Sequence, residues 1–423
     1  MKGSKVIAGA LAACADTFYT VPGYPVSDIA RIIGAELVVN EKVALEYALG
    51  DSLSCRRSAV IIKNVGLNAC ADPLINATTQ GLLSGVVIIV GDDCAAQGSQ
   101  NTQDSRYYGE LAQVPVLEPD GETCAQAIAA AFDASEQFSR IAMIRVTPPL
   151  VEKDITDKFC NQKRGKGALA SPYLTMKGRA QDAERRTAEM FAWSHNSPLN
   201  RLRGGVVATG AESGDSHVVT VYPPPAGPDA LKSTRELGRP FLFEHRNLSP
   251  PGTVIDPETY HDRGFFRTFC RNCPFKPLMA MLSGRGVSVI CDIGCSLLAT
   301  NPPYRIGKAS FALGSSVAVA ARSTKVALTG DYALMHSGIN ALLDVYEKQL
   351  PLLTIILKNN RMGMTGGQPA GDLLKYIRWA DPVVCYADNE SELDHELAAP
   401  DAPRTLVVVG ACPEGCSHET VEC

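Results

Sequence analysis

The chain has 423 residues, of which 45% are hydrophobic and 20% charged, an ordinary globular composition with length for about two to four domains. A formal net charge of −5 argues against a nucleic-acid platform. No apolar run approaches the length of a membrane span, so no membrane association is expected.

The N-terminus, Met1 to Lys5, passes straight into an amphipathic helix pattern, so no secretory leader is expected and the location reads as cytoplasmic. Helix and strand signals then alternate as far as residue 150. Apolar strand candidates lie at 59–62, 85–90 and 140–146, with a helical stretch at 124–135. This pattern predicts a doubly wound parallel sheet. Residues 151–195 are basic and polar, with helix potential at 180–193, and read as a helical linker whose charges form a solvated face. Residues 196–262 read as a small middle α/β domain with strand candidates at 205–209, 217–221 and 240–243. Pro223-Pro224-Pro225 and Pro250-Pro251 punctuate it. Residues 263–423 read as a second full α/β unit. The expected fold class is therefore α/β, with two doubly wound parallel sheets flanking a small α/β domain.

Two strand ends in the second unit carry the most chemistry. The run 325–329 ends in Gly330-Asp331-Tyr332, and the run 352–357 ends in Lys358-Asn359-Asn360-Arg361-Met362-Gly363-Met364-Thr365-Gly366-Gly367-Gln368. The spacer between them is long enough for a crossover helix between parallel strands. An Asp carboxylate and an Asn carbonyl then meet at the carboxyl edge of the sheet, where α/β proteins bind ligands. Hard oxygen ligands with open positions suit Mg²⁺ carrying a diphosphate. An ordinary strand–turn–helix with a capping Asp would use the same residues.

Fourteen cysteines are scattered along the chain and do not form a small disulfide scaffold. Cys14, Cys55, Cys70, Cys94, Cys124 and Cys160 stand singly in apolar or helical settings and are expected as buried small hydrophobes. Cys291 and Cys385 are expected in the core. Cys270 and Cys273 form a C-x-x-C before the first helix of the second unit, Cys295 follows its first strand (287–291), and Cys412 follows its last (404–409). Parallel strand ends share one edge, so Cys295 and Cys412 should lie on the edge that holds Asp331. Four thiolates suit a [4Fe–4S] cluster or a Cys₄ zinc site. Cys416 or Cys423 could replace Cys412.

The Gly330-Asp331 step, the spacer and the Asn359-Asn360 pair together resemble the thiamine-diphosphate fingerprint. The tail from Gly363 to Gln368 narrows the resemblance to 2-oxoacid:ferredoxin oxidoreductases. Loops at 64–74, 99–108, 197–201, 301–304 and 336–338 are similar to those of indolepyruvate:ferredoxin oxidoreductase large (alpha) subunits, so the likeness runs over nearly the whole chain. It implies two thiamine-diphosphate-binding-fold domains: a pyrimidine-binding type at 1–150 and a diphosphate-binding type at 263–423 carrying the iron–sulfur cysteines. Thiamine diphosphate would be held by Gly330, Asp331, Tyr332, Asn360, Met362, Gly363, Met364, Thr365, Gly294 and Cys295. Mg²⁺ would be ligated by the Asp331 and Asn360 side chains and the Met362 carbonyl. A [4Fe–4S] cluster would sit on Cys270, Cys273, Cys295 and Cys412. The segment from Val39 to Gly50 resembles the family's glutamate segment, in which a Glu opens a helix and a Gly follows nine positions later. Glu41 fits that register as the catalytic carboxylate that tautomerises the aminopyrimidine, and Glu46 does not; a first-turn Glu also simply favours the helix dipole.

The implied activity is oxidative decarboxylation of a 2-oxoacid, arylpyruvate-like or related. Electrons would pass through the cluster to a ferredoxin or ferredoxin-like subunit, with coenzyme A as a candidate co-substrate and a smaller partner subunit. A homodimer or heterotetramer is expected, because the two cofactor halves meet across a two-fold interface in this family. The departures are specific. Tyr332 stands where many members have Gly, Tyr24 where the family often has Thr beside the substrate, and Phe275 where it has His. The middle domain is short, and the family's C-terminal ferredoxin-like domain has no counterpart in this sequence. A non-oxidative decarboxylase of the sulfopyruvate or phosphonopyruvate type would need no cysteine set. A non-catalytic assembly subunit would need neither cofactor.

Overall fold

The computed structural model describes residues 1–93, 96–100, 103–119, 121–156, 164–195, 197–199, 202–203, 206–207, 256–413 and 417–423. They form two compact units: Met1–Ala170 with Met176–Pro257, and Ser171–Thr175 with Glu258–Cys423. Most of the expected middle domain lies outside the described residues, including the strand candidates at 217–221 and 240–243.

The first unit holds six parallel strands: β1 (Thr17–Thr20), β2 (Glu36–Leu37), β3 (Ser58–Lys63), β4 (Val86–Gly91), β5 (Val116–Leu117) and β6 (Ala142–Val146). Their order is β2-β1-β3-β4-β6-β5. The central strand β4, Val-Val-Ile-Ile-Val-Gly, is buried at every position, as expected for a strand covered by helices on both faces. Helices Gly3–Cys14 and Cys124–Phe138 pack on one such face, through Leu11, Ile128 and Phe132 among others. The expected linker packs on this unit: helix Met176–His195 sets Trp193 edge-on to Phe138 at 5.6 Å, and the Ala183 carbonyl accepts from Arg140 at 3.1 Å. A short antiparallel ribbon, β7 (Leu202–Arg203) with β8 (Val206–Val207), is what is described of the segment that follows.

The first strand of the second unit is β9 (Phe265–Cys270), which follows the short helix Tyr260–Arg263. Its six parallel strands are β10 (Val289–Cys291), β11 (Gly307–Ala309), β12 (Val326–Gly330), β13 (Leu352–Lys358), β14 (Val383–Tyr386) and β15 (Pro403–Val409), in the order β11-β10-β12-β13-β15-β14. The final strand, β16 (His418–Glu422), turns back and pairs antiparallel with β9, setting His418 opposite Cys270. Both main sheets are thus parallel α/β sheets, as the alternating pattern predicted. Among the described residues no helix is long and apolar enough to cross a membrane.

Cys14, Cys70, Cys124, Cys291 and Cys385 are buried as expected. Cys55 is not: it is exposed, because it sits in the left-handed region (φ 59°) just past helix Glu41–Leu53, where the chain turns outward. Cys94, Cys160 and Cys416 lie outside the described residues.

At the carboxyl ends of β4 and β6 the first unit buries an ionic network that the apolar pattern does not reveal. Arg145 is ion-paired to Asp92 and Glu118, and Arg106 reaches Glu118 at 3.3 Å and Asp104 at 2.7 Å. Asp92 also accepts the Ser105 N–H at 2.9 Å, while Asp93 accepts those of Gln97, Gly98 and Ser99 at 3.0, 2.7 and 2.9 Å. Burial pushes the Asp92 carboxyl up, and Arg145 opposes it. The network therefore ties Asp92 and Asp93, at the end of β4, to residues 97–99 and 105–106. Truncating one member leaves a buried charge without compensation, which costs about 3–5 kcal/mol. Arg145→Met is expected to lower unfolding stability by that amount in a urea titration. A loss under about 1 kcal/mol would mean that the Asp92 and Glu118 charges are compensated by other contacts.

Candidate cofactor site at the carboxyl edge of the second sheet

β10, β12, β13 and β15 end on one edge, and the chain leaving each contributes to one cavity of about 460 Å³. β10 leads into Asp292, which is fully buried. Its carboxylate accepts the Ser316 hydroxyl at 2.8 Å, the Thr329 hydroxyl at 2.7 Å and the Gly314 N–H, so it ties three segments together beneath the cavity floor. The chain then turns at Gly294, whose φ of 124° strongly favours glycine, and presents Cys295 at the start of a 3₁₀ helix.

β12 ends in Gly330 and Asp331. The Asp331 carboxylate is 2% exposed; its Oδ1 accepts the Tyr332 N–H and its Oδ2 the Asn360 N–H, each at 2.8 Å. Burial raises the Asp331 pKa, while those amides and the Lys358 charge lower it. A carboxylate raised by burial near an open cavity is a natural partner for a cation. Tyr332, which stands where many members of the resembled family have Gly, is exposed and lines the cavity, with its ring 6.2 Å from that of His336. A π-helical turn, Leu334–Gly338, follows, with the Ser337 hydroxyl donated to the Leu313 carbonyl.

β13 ends at Lys358, and the loop beyond it supplies Asn359, Met362, Gly363, Met364 and Thr365 to the cavity wall. Asn360 is not part of that wall. It sits in the left-handed region (φ 55°), and its Oδ1 accepts from the Lys358 ammonium at 2.6 Å. The Met362 carbonyl accepts from the Thr365 and Gly367 N–H groups, both at 3.1 Å, so a cation there would displace one of them.

Cys270, Cys273, Cys295 and Cys412 all line this same cavity, together with Gly330, Asp331 and Met362. Asn359 Nδ2 donates to the Cys412 sulfur at 3.1 Å, and His418 Nδ1 lies 3.6 Å from the Cys270 sulfur. Burial lowers the His418 pKa, and the nearby Arg267 charge adds to that. The four thiols share the cavity but are not drawn together: among the described residues no three His, Cys, Asp or Glu side chains are grouped so that they could hold a metal ion. Cys423 is elsewhere, its thiol donated to the Tyr260 carbonyl at 3.1 Å. Sequence reasoning quoted Lys358 and Asn359 at the strand end but gave no role to either side chain, and it missed Asp292 and His418. Asp292 carried the same signal as Lys358, a polar residue directly following an apolar strand.

In the first unit, Asn40 caps helix Glu41–Leu53 by accepting the Val43 N–H at 3.1 Å. Glu41 is half-buried in the first turn. A Cβ on Gly66 would come within 2.5 Å of the Glu41 Oε1, so the glycine lets the carboxylate lie against helix Asn64–Ala69. Burial pushes the Cys70 thiol up, and the Glu41 charge adds to it. Glu46 is 1% exposed and committed to an ion pair with Lys42, which leaves Glu41 as the available carboxylate of the two. The expected loops at 64–74 and 99–108 meet: Tyr108 donates to Asn68 at 2.7 Å, Asn68 to Gln103 at 3.0 Å, and Gln103 to the Asn64 carbonyl at 2.8 Å. Asn101, Thr102, Asn200 and Arg201 lie outside the described residues. The Tyr24 hydroxyl reaches Glu152 at 3.2 Å and Gln97 at 3.3 Å.

The chain is similar to known proteins in both sequence and fold. Residues 303–389 match the family described as "Thiamine pyrophosphate enzyme, C-terminal TPP binding domain", a span that takes in Asp331, Asn360 and Met362. The indolepyruvate oxidoreductase subunit IorA of Methanothermobacter thermautotrophicus is 26% identical over 83% of this chain and 73% of its own length. Its counterpart in Thermococcus kodakarensis is 25% identical over 87% of this chain and 75% of its own. That of Archaeoglobus fulgidus is 38% identical over 34% of this chain and 25% of its own. Among solved structures, the thiamine diphosphate-dependent 4-hydroxybenzoylformate decarboxylase of Rhodococcus jostii RHA1 matches with a TM-score of 0.57 at 15% identity, covering 97% of this chain and 99% of that one. Benzoylformate decarboxylase from Polynucleobacter necessarius matches with a TM-score of 0.57 at 13% identity, covering 97% and 98%. At such identities these two speak to fold alone. The chain carries the C-terminal TPP-binding domain of thiamine pyrophosphate enzymes and is related, along most of its length, to the archaeal indolepyruvate oxidoreductase subunits named IorA.

Proposed function

We propose that the chain is the thiamine-diphosphate-binding subunit of a 2-oxoacid oxidoreductase, acting on an arylpyruvate-like or related 2-oxoacid. One observation carries the reading: Asp331 and four cysteines line a single cavity at the carboxyl edge of a parallel sheet. The donor set fits both groups. Asp331 is a desolvated carboxylate next to open space at Gly330, where an added Cβ would meet nothing within 4 Å. The cysteines supply four soft sulfurs, the donors an iron–sulfur cluster takes.

Asp331 and the Asn360 side chain would hold Mg²⁺, with the Met362 carbonyl as third ligand. Gly330, Tyr332, Gly363, Met364 and Thr365 would line the diphosphate, with Gly294 and Cys295 opposite. Thiamine diphosphate, when bound, supplies the electron sink for loss of CO₂ from a 2-oxoacid. Glu41 would hydrogen-bond the aminopyrimidine and move its proton. Cys270, Cys273, Cys295 and Cys412 would hold the cluster that takes electrons onward to ferredoxin or a ferredoxin-like subunit. Asn359, donating to the Cys412 sulfur, would stabilise negative charge on it. A smaller partner subunit, coenzyme A as acyl acceptor, a two-fold assembly and a cytoplasmic location complete the proposal.

A second reading is favoured by one observation, the four thiols that share the cavity without being gathered to hold a metal. It is a non-oxidative 2-oxoacid decarboxylase, which needs no cluster. Metal analysis separates the two. Anaerobically purified protein is expected to be brown, with about four iron and four sulfide per chain, and a paramagnetic signal on reduction that Cys295→Ser degrades and Cys423→Ser does not. A colourless protein with one tight zinc would favour the decarboxylase.

Asp331→Ala is expected to abolish retention of thiamine diphosphate through desalting. Wild-type retention would remove Asp331 from the site. Glu41→Gln keeps the shape and loses the proton-transfer function. It should bind cofactor normally and lose turnover by about 10²–10⁴-fold. Turnover within a few-fold of wild type would exclude Glu41 as the proton-transferring group.

A further inference from the structure

Gly330 and Leu357 are register partners on β12 and β13, so Asp331 and Lys358 are the next residues along two neighbouring strands. Lys358 is 8% exposed, an unusual setting for an ammonium group. Its Nζ donates to the Asn360 Oδ1 at 2.6 Å and lies 3.8 Å from the Asp372 Oδ1. Its charge is felt at the Asp331 carboxyl, where it opposes the effect of burial. A positive charge therefore already sits on the Asn360 side chain and is felt at Asp331, the two side chains assigned above to the divalent cation. The Asn360 carbonyl oxygen is in use, and its left-handed backbone turns the side chain back toward the lysine.

We propose that Lys358 is a displaceable resident cation of this site. Its ammonium occupies Asn360 while no divalent ion is bound and withdraws to Asp372 when one arrives. The inference rests on the reading of Asp331 and Asn360 as metal ligands. Its physical basis is simple. An ammonium and a divalent cation repel, and they cannot both take the same carbonyl lone pair at close range. Lys358 thus makes bare metal a poor ligand. A diphosphate brings several negative charges, which offset the added repulsion and offer the lysine a second anionic neighbour. The site accordingly takes metal and diphosphate together and resists filling by metal alone. Asp372, which is exposed, is the landing point for the withdrawn ammonium.

The test uses the full chain stripped of metal and cofactor. Free Mn²⁺ is counted by its aqueous paramagnetic signal during titration, with and without inorganic pyrophosphate. Lys358→Met, close in length and neutral, is expected to bind Mn²⁺ alone about tenfold or more tighter than wild type. It should gain less from pyrophosphate than wild type does. Lys358→Arg keeps the charge and should bind Mn²⁺ alone as weakly as wild type. If Lys358→Met fails to fold, Asp372→Asn carries the test, because it alters an exposed residue: it should weaken Mn²⁺ binding in the presence of pyrophosphate by a few-fold. Where Lys358→Met folds, adding Asp372→Asn to it should cause no further loss, since the carboxylate matters only as the lysine's destination.

Unchanged Mn²⁺ affinity in Lys358→Met, with Asp331→Ala still abolishing binding, overturns this inference and leaves the metal-site reading standing. Mn²⁺ binding that survives Asp331→Ala in both backgrounds overturns the metal-site reading and this inference with it.

Discussion

The site depends on one carboxylate held out of water. Asp331 is 2% exposed at the end of β12 and takes backbone N–H groups from its own turn and from Asn360 at the end of β13. Those two bonds clamp the ends of two central strands together and set where the loop beyond β13 starts. Burial raises the carboxyl's pKa, and the nearby Lys358 charge lowers it. The carboxylate thus sets the cost of burial against two backbone amides and the Lys358 charge. Asp292, fully buried, plays the structural counterpart and accepts from Gly314, Ser316 and Thr329.

Parallel topology explains why sulfur and oxygen donors meet. Every strand of the second main sheet runs the same way, so Cys295 after β10, Asp331 after β12, Met362 after β13 and Cys412 after β15 reach the same edge without any contact being designed pair by pair. Cys270 and Cys273 arrive differently. They close β9, which lies outside that sheet and is held by β16, the last strand of the chain. The cavity thus joins the start and the end of the second unit, and it is His418 on β16 that faces Cys270. In the first unit the ends of β4 and β6 are joined by the buried Asp92–Arg145–Glu118–Arg106 network.

Strands buried on both faces read as unbroken apolar runs, so β3, β4, β6, β12, β13 and β15 were visible in the sequence, and with them the residues at their ends. The helix start at Glu41 was read from the likeness of 39–50 to the family's glutamate segment, and Asn40 caps that helix. What escaped depends on partners far along the chain. The neighbourhood of Cys270 and His418 spans 148 positions and follows from an antiparallel pairing with no local period. The Arg145 network joins residues from four segments, and its charges look like surface until burial is known. Lys358 was read as a strand end, yet the positive φ at Asn360 bends a neighbour's side chain onto it. Cys55 looked like a core residue because its exposure is set by the turn after a helix and not by its neighbours' hydropathy.

The central claim is that the diphosphate and the cysteines share one cavity. Thiol alkylation, read by mass spectrometry on metal-free protein, tests it most directly. Thiamine diphosphate with Mg²⁺ is expected to slow alkylation of Cys295 and Cys412 strongly, while exposed Cys55 reacts at its original rate. Protection that spares Cys295 and Cys412 would place the diphosphate elsewhere and contradict the account.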